Sequence, residues 1–137
     1  MYQTYNLSHH DAQRIIATIQ SELEKDNKGA AVAIADAHGE LVAFLRTDGC
    51  PLQSITIAIN KAFSASRERK PSREIGESSR QKNFPMTNFG DPRFTGWGGG
   101  VPIRYEGKVI GAVAVSGLPE EEDMVLARLG ADVIEKA

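Results

Sequence analysis

Hydrophobic residues recur at helical spacing in three long segments of the chain. The first follows Ser8, which together with Asp11 has the pattern of a capping box at a helix start. The second runs from about Gln53 to Arg67, and the third runs from about Glu120 to Glu135 with acidic residues in its first turn. A shorter helix is predicted near residues 72–80, so we expect three long helices and a short one.

Short hydrophobic runs separated by turn residues predict strands. Five such runs are residues 30–37, 40–47, 94–97, 101–105 and 108–115. Turns at His38-Gly39 and Glu106-Gly107 would join two pairs of them into hairpins, and hairpins pair antiparallel. The pattern therefore predicts an α+β fold in which helices flank a five-stranded antiparallel sheet.

The composition is that of a single globular domain spanning residues 1–137. Hydrophobic residues make up 41% and charged residues 25%, which is enough to bury a core without disulfides or metals. The net charge of −2 gives no reason to expect nucleic acid or a membrane as partner. Cys50 is the one cysteine, which excludes an intrachain disulfide. With no signal peptide or apolar span of about 18 residues, a cytoplasmic protein is expected.

The triplet Gly98-Gly99-Gly100 at the entrance of the second hairpin has two interpretations. Its free backbone N–H groups would suit the wall of a ligand pocket, or it marks a bend at a corner of the sheet. The rings of Phe94 and Trp97 just upstream would stack on a flat ligand or fill the core. A phosphate loop is excluded, because no Gly-Lys-Ser/Thr ending is present and a strand follows instead of a helix.

Four blocks, which together span nearly the whole chain, resemble the GlcG/HbpS-like family, which includes the C-terminal domain of PduO-type corrinoid adenosyltransferases. The blocks are Ala33–Ala43 with Arg46–Gly49, Ser54–Ala65 with Lys61 at the family's spacing, Gly98–Ile103, and Gly107–Gly117 followed by Asp123, Ala127 and Gly130. The third and fourth blocks in combination are the most specific.

The resemblance implies a profilin-like fold and assembly into dimers or larger homo-oligomers. Several members bind haem, some are described as haem-degrading or as redox and iron sensors, and others accompany glycolate, glycerol or diol metabolism. We therefore expect an accessory protein that binds haem or a related tetrapyrrole, with a corrinoid such as cobalamin included. Two alternatives stay open, a haem-degrading or other small-molecule enzyme and a ligand-free assembly partner of a metabolic enzyme.

Three polar residues are candidates for the ligand site, each with a plainer alternative. His10, preferred over His9, would ligate haem iron, or it is an exposed residue at the helix start. Arg46 would hold a carboxylate or haem propionate, or it pairs with Asp48 at the surface. Lys61 would reach the pocket, or it packs its stem and keeps its head in water. The candidate cofactor-binding residues are therefore His10, Arg46, Lys61, Trp97, Gly98, Gly99, Gly100 and Pro102, with His10 also the candidate iron ligand.

Catalytic machinery is not evident in the sequence. Ser116 has no visible base, and Ser116 and Asp123 are expected to hydrogen-bond the N-terminus of the last helix. No metal-binding spacing such as Cys-x-x-Cys or His-Glu-x-x-His occurs. We therefore expect a non-catalytic binding or accessory protein more than an enzyme.

Overall fold

The computed structural model describes residues 1–137 and contains four α-helices and four β-strands. In chain order these are α1 (His9–Lys25), β1 (Ala31–Asp36), β2 (Leu41–Arg46), α2 (Ser54–Glu68), α3 (Ser72–Lys82), β3 (Gly100–Tyr105), β4 (Lys108–Ser116) and α4 (Glu120–Glu135). A short 3-10 turn lies at Met86–Phe89. The predicted capping box is present, since the Ser8 side chain accepts from the Asp11 N–H and Asp11 accepts from the Ser8 N–H. None of the helices is long and apolar enough to cross a bilayer.

The strands form one antiparallel sheet in the order β2-β1-β4-β3. Both predicted hairpins are present, and Gly39 and Gly107 take positive φ angles in their turns. Within the sheet, Ala31 lies between Arg46 of β2 and Ser116 of β4, so these three residues form one row. The α+β class and the antiparallel sheet are thus confirmed.

The predicted fifth strand was wrong, because residues 94–97 form no strand. The Phe94 ring packs instead against two other rings, with centroids 4.9 Å from Phe63 and 4.0 Å from Phe89. Gly96 lies against the backbone of Gly76 in α3. These contacts hold the segment over α2 and α3, away from the edge of the sheet, so the sheet has four strands.

The two faces of the sheet differ in side-chain size. One face packs against α1 and α4 through large aliphatic side chains that include Ile15, Ile19, Ile34, Val113 and Val115. The other face packs against α2 almost entirely through alanines, namely Ala31, Ala33, Ala35, Ala58, Ala62 and Ala114. Because alanine keeps the two backbones close, α2 lies directly on the sheet and its polar residues are carried into the interior.

Helix α2 lies against the backbone of the sheet at Gly100. A Cβ atom built there would lie 2.5 Å from the Lys61 carbonyl oxygen, so no side chain fits between β3 and α2. The glycine is therefore required for contact with α2, which supports the interpretation of the triplet as a sheet-corner feature.

Candidate functional site

A cleft of about 660 Å³ opens at the end of β4, where the first turns of α2 and α4 meet. This volume is within the range of small-molecule sites. Its polar lining consists mainly of Ser54, Lys61, Ser116, Glu120 and Asp123, and Trp97 lies at its edge. The cleft is therefore a candidate ligand site formed by α2, β4 and α4.

A buried ion pair between Lys61 and Asp123 forms part of the cleft wall. The Lys61 Nζ atom lies 3.2 Å from Asp123 Oδ2 and donates a second hydrogen bond, of 3.0 Å, to the Val115 carbonyl. Both side chains are only 4% exposed. The interpretation of Lys61 as a lysine with its head in water was therefore wrong, because its amino group lies between α2, β4 and α4.

Burial changes the acid–base properties of both partners. Desolvation lowers the pKa of the Lys61 amine, although the Asp123 carboxylate opposes this shift. Desolvation also raises the pKa of Asp123, against the effect of Lys61 and of backbone N–H donors. One of these donors is the Leu118 N–H, 3.1 Å from Asp123 Oδ1. Asp123 therefore bonds the turn that leads into α4, as predicted in part, whereas the hydrogen bond predicted for Ser116 is not formed.

The hydroxyl groups of Ser54 and Ser116 are directed at the cleft. Each residue is 4% exposed, and neither hydroxyl forms a hydrogen bond within the chain. Every fully enclosed side-chain oxygen or nitrogen atom in the structure has a hydrogen-bond partner, so these two unpartnered hydroxyl groups must be accessible to solvent. Both residues line the cleft, so the hydroxyl groups are accessible from the cleft. They are buried polar groups available to an occupant of the cleft.

Of the glycine triplet, Gly98 lines the cleft, whereas Gly99 and Gly100 lie outside the lining, and two of the three N–H donors are already used. The Gly98 N–H donates to Glu120 Oε1 at 2.6 Å, and the Gly100 N–H donates to Ser72 Oγ at 2.9 Å. Gly99 has a φ of +129°, and a Cβ atom there would lie 2.7 Å from Lys61 Nζ. Glycine at this position therefore leaves room for the buried amine.

Of the other sequence candidates, Trp97 lies at the mouth of the cleft with 62% of its surface exposed. Arg46 is an exposed residue at the end of β2, outside the cleft lining, and forms no ion pair with Asp48. Pro102 is fully buried in β3. The structure therefore brings Lys61, Trp97 and Gly98 together and leaves Arg46 and Pro102 outside.

His10 is remote from the cleft. It is exposed at the start of α1, on the opposite face of the sheet from α2. Just before that helix, the Leu7 N–H donates to the Ile110 carbonyl, and Ile110 precedes Ser116 by six residues on β4. At about 3.4 Å per residue, this separation is about 20 Å along the strand. No haem bound in the cleft of one chain can use His10 of the same chain.

Sequence reasoning missed the pairing of Lys61 with Asp123 and the roles of Ser54 and Glu120. One signal was present, because Lys61 lies three residues after Ala58 and four before Ala65, inside the alanine stripe of α2. A lysine within an apolar helical stripe indicates burial with a partner. The identity of that partner, 62 residues later in α4, is set by the tertiary fold.

The fold and cleft define a small α+β protein with a helix-lined candidate ligand site. The family described as "Haem degrading protein HbpS-like" matches residues 7–132, so the chain belongs to the HbpS-like family. Protein GlcG of Escherichia coli K12 is 36% identical over 110 residues, which cover 80% of this chain and 81% of GlcG.

The fold is shared with several solved structures, including two that align over nearly the whole of this chain. The protein ORFY of Klebsiella pneumoniae, a DUF336 member, is 26% identical, with a TM-score of 0.93 over 100% of this chain and 96% of its own. The PduOC:haem complex is 24% identical, with a TM-score of 0.86 over 94% of this chain and 95% of its own. At that identity, the second likeness is one of fold alone.

Proposed function

We propose that this protein binds haem or a related tetrapyrrole and acts as a homo-oligomeric accessory protein. Membership of a family described by haem degradation supports a tetrapyrrole ligand, and the fold is one that accommodates haem in PduOC. The observation within this chain that carries the proposal is a pair of exposed imidazoles at the start of α1, since imidazole is a common axial ligand of haem iron.

The cleft does not fit a haem held through its iron. Its lining contains no histidine, cysteine or methionine, and the Lys61 amine is bonded to Asp123 and Val115. No group of three or more His, Cys, Asp or Glu side chains is positioned to bind a metal ion. We therefore assign Trp97, Gly98 and Lys61 to a site distinct from that of the haem iron.

The opposite end of β4 has the appropriate ligand chemistry. The rings of His9 and His10 lie 4.2 Å apart, and Tyr5 and Tyr105 form an edge-to-face pair with centroids 5.1 Å apart. We call these four residues the histidine end. All four are exposed, so a second copy of the chain packed against this end would enclose a planar ligand between aromatic rings. His10 would hold the iron, and the tyrosines would contact the ring.

A haemin titration followed by absorbance tests the proposal. We expect a saturable Soret shift in the wild type that is lost or moved in His10→Ala, which keeps its fold because the side chain is exposed. His38→Ala tests the third histidine, which is exposed in the β1–β2 turn at the same end of the sheet, since the neighbouring Ala37 N–H donates to Asn6 Oδ1. The shift should be unchanged in His38→Ala if His10 is the ligand, and a shift lost in His38→Ala but not in His10→Ala would contradict that assignment. The same titration with cobalamin tests the wider tetrapyrrole class. Absence of a saturable shift with either compound would overturn the proposal and leave the ligand-free assembly role.

Haem degradation is the second candidate, favoured by the description of the family. Addition of ascorbate to the haem-loaded protein distinguishes it from simple binding. Loss of the Soret band together with release of iron would establish turnover, whereas a stable spectrum under the same conditions would restrict the protein to binding.

A further inference from the structure

The cleft contains a lysine in an environment unlike that of any other lysine in the chain. Lys61 is 3% exposed, whereas Lys25, Lys82, Lys108 and Lys136 are exposed. Burial in a protein favours the neutral amine, which is the nucleophilic form. We propose that Lys61 is a nucleophile that condenses with a small, uncharged aldehyde or ketone in this cleft to form an imine. This inference is independent of the haem proposal.

The geometry supplies a partner for the proton that must leave the amine. Asp123 Oδ2, 3.2 Å from Lys61 Nζ, can accept a proton from the ammonium, which converts the buried ion pair into a neutral amine and a neutral carboxyl group. The pKa of the lysine is lowered by burial and that of Asp123 is raised, so both shifts favour this transfer. Glu120 is the other charged group acting on Lys61, and it opposes the loss of the proton.

The atoms of the reaction balance without a cofactor. The neutral amine adds to the carbonyl carbon, and the carbonyl oxygen takes up a proton to give a carbinolamine. The amine nitrogen loses its remaining proton while the hydroxyl group leaves as water, which yields the C=N bond. Asp123 gives and receives these protons, and the accessible hydroxyls of Ser54 and Ser116 are available to bond the carbonyl oxygen as it becomes a hydroxyl.

The cleft favours an uncharged carbonyl compound over a keto acid. With Lys61 and Asp123 neutral, Glu120 is the remaining charged group of the lining, and it would repel a carboxylate. The first turn of α2 offers little to an anion, because the N–H groups of Ser54 and Ile55 already donate to Pro51 and Leu52. We therefore name small aldehydes and ketones as the substrate class.

Reductive trapping tests the inference on the wild-type protein. The protein is incubated at pH 7 with acetaldehyde and sodium cyanoborohydride, and ethylation of each lysine is followed by peptide mass spectrometry. Lys61 should be labelled faster than Lys108, by about tenfold for each unit by which its pKa is lowered. In urea the two lysines should be labelled at similar rates. Labelling of Lys61 in the folded protein no faster than that of Lys108 would overturn the inference and leave a purely structural ion pair.

A comparison of probes and variants distinguishes binding of the carbonyl compound in the cleft from unassisted reaction of the Lys61 amine. With pyruvate in place of acetaldehyde, the Lys61-to-Lys108 labelling ratio should fall, because the carboxylate meets Glu120. Ser116→Ala should lower the rate at Lys61 and leave the rate at Lys108 unchanged. Lys61→Arg should remove the fast-labelled peptide, and Lys108→Arg is its matched control. A fast rate that is the same in Ser116→Ala and with both probes would contradict the assignment of the cleft as a binding site.

Discussion

The cleft and the histidine end lie at opposite ends of β4 and are built in different ways. At the cleft, the chain brings helices α2 and α4 against glycine backbone and buries the Lys61–Asp123 ion pair. At the histidine end, the candidate groups are exposed side chains on a helix start and a hairpin. The comparison indicates that the cleft is tied to the stability of the fold, whereas the histidine end can change without loss of the fold.

The largest expected effect is at the contact of β3 with α2, beside the cleft, with Gly100→Ala. The new Cβ would lie 2.5 Å from the Lys61 carbonyl oxygen, which is backbone and cannot move aside. We expect a loss of more than about 4 kcal/mol in the free energy of unfolding, or no folded protein. The control is Gly107→Ala, whose φ of +77° is strained but whose surroundings are open. It should cost about 1–2 kcal/mol in urea unfolding. Equal effects of the two changes would contradict the close contact of α2 with the sheet.

The next effect comes from removal of one partner of the buried ion pair. Lys61→Met leaves Asp123 without its cation at 4% side-chain exposure. We expect a loss of about 3–5 kcal/mol in urea unfolding. The double variant Lys61→Met with Asp123→Leu should be more stable than Lys61→Met alone, because no buried charge is left over. A double variant less stable than the single one would show instead that the hydrogen bond from the Leu118 N–H to Asp123 outweighs the cost of the unpaired carboxylate.

The pH dependence of the same variant sharpens this result. Burial already raises the pKa of Asp123 above its ordinary value of 3.8, and the loss of Lys61 removes the largest opposing influence. A carboxyl group whose pKa is higher in the folded state stabilises that state when protonated, and this contribution is lost as the pH rises through the folded pKa. The stability deficit of Lys61→Met relative to the wild type should therefore shrink as the pH is lowered from neutral toward 4. A deficit that does not change with pH would contradict a buried, charged Asp123.

The smallest expected change is beside the histidine end, at the N-cap of α1, with Ser8→Ala. This substitution removes the side-chain acceptor for the Asp11 N–H at the start of α1. We expect a loss of about 1 kcal/mol in urea unfolding. The matched control is Ser21→Ala at an exposed position within the same helix, where alanine should be neutral or slightly stabilising. If Ser8→Ala were also neutral, the capping box would not contribute to α1.

The sequence predicted the order of elements well because most of them have strong local signals. The capping box fixes the start of α1, and positive-φ glycines fix the two hairpin turns. The segment at 94–97 has aromatic residues typical of strands, but its contacts with Phe63, Phe89 and Gly76 are formed only in the tertiary structure. Local propensity therefore predicted a strand where packing does not allow one.

The candidate site was predicted less well, because it depends on residues far apart in the chain. Lys61 and Trp97 were both candidates, but the partnership of Lys61 with Asp123 joins α2 to α4 and has no local signature. His10 and the cleft residues were placed in one candidate set, and the register of β4 shows that they lie at opposite ends of the strand. The residues predicted to form one ligand site therefore lie in two separate regions of the structure.

The most direct test of the account maps where a porphyrin contacts the protein. Zinc protoporphyrin, which is diamagnetic, would be titrated into the ¹⁵N-labelled protein, and amide chemical shifts would be followed by NMR. We expect saturable shifts at His9, His10 and Tyr105, with Gly98 and Ser116 unchanged. Shifts centred on Gly98 and Ser116, or no saturable shifts at all, would contradict tetrapyrrole binding at the histidine end.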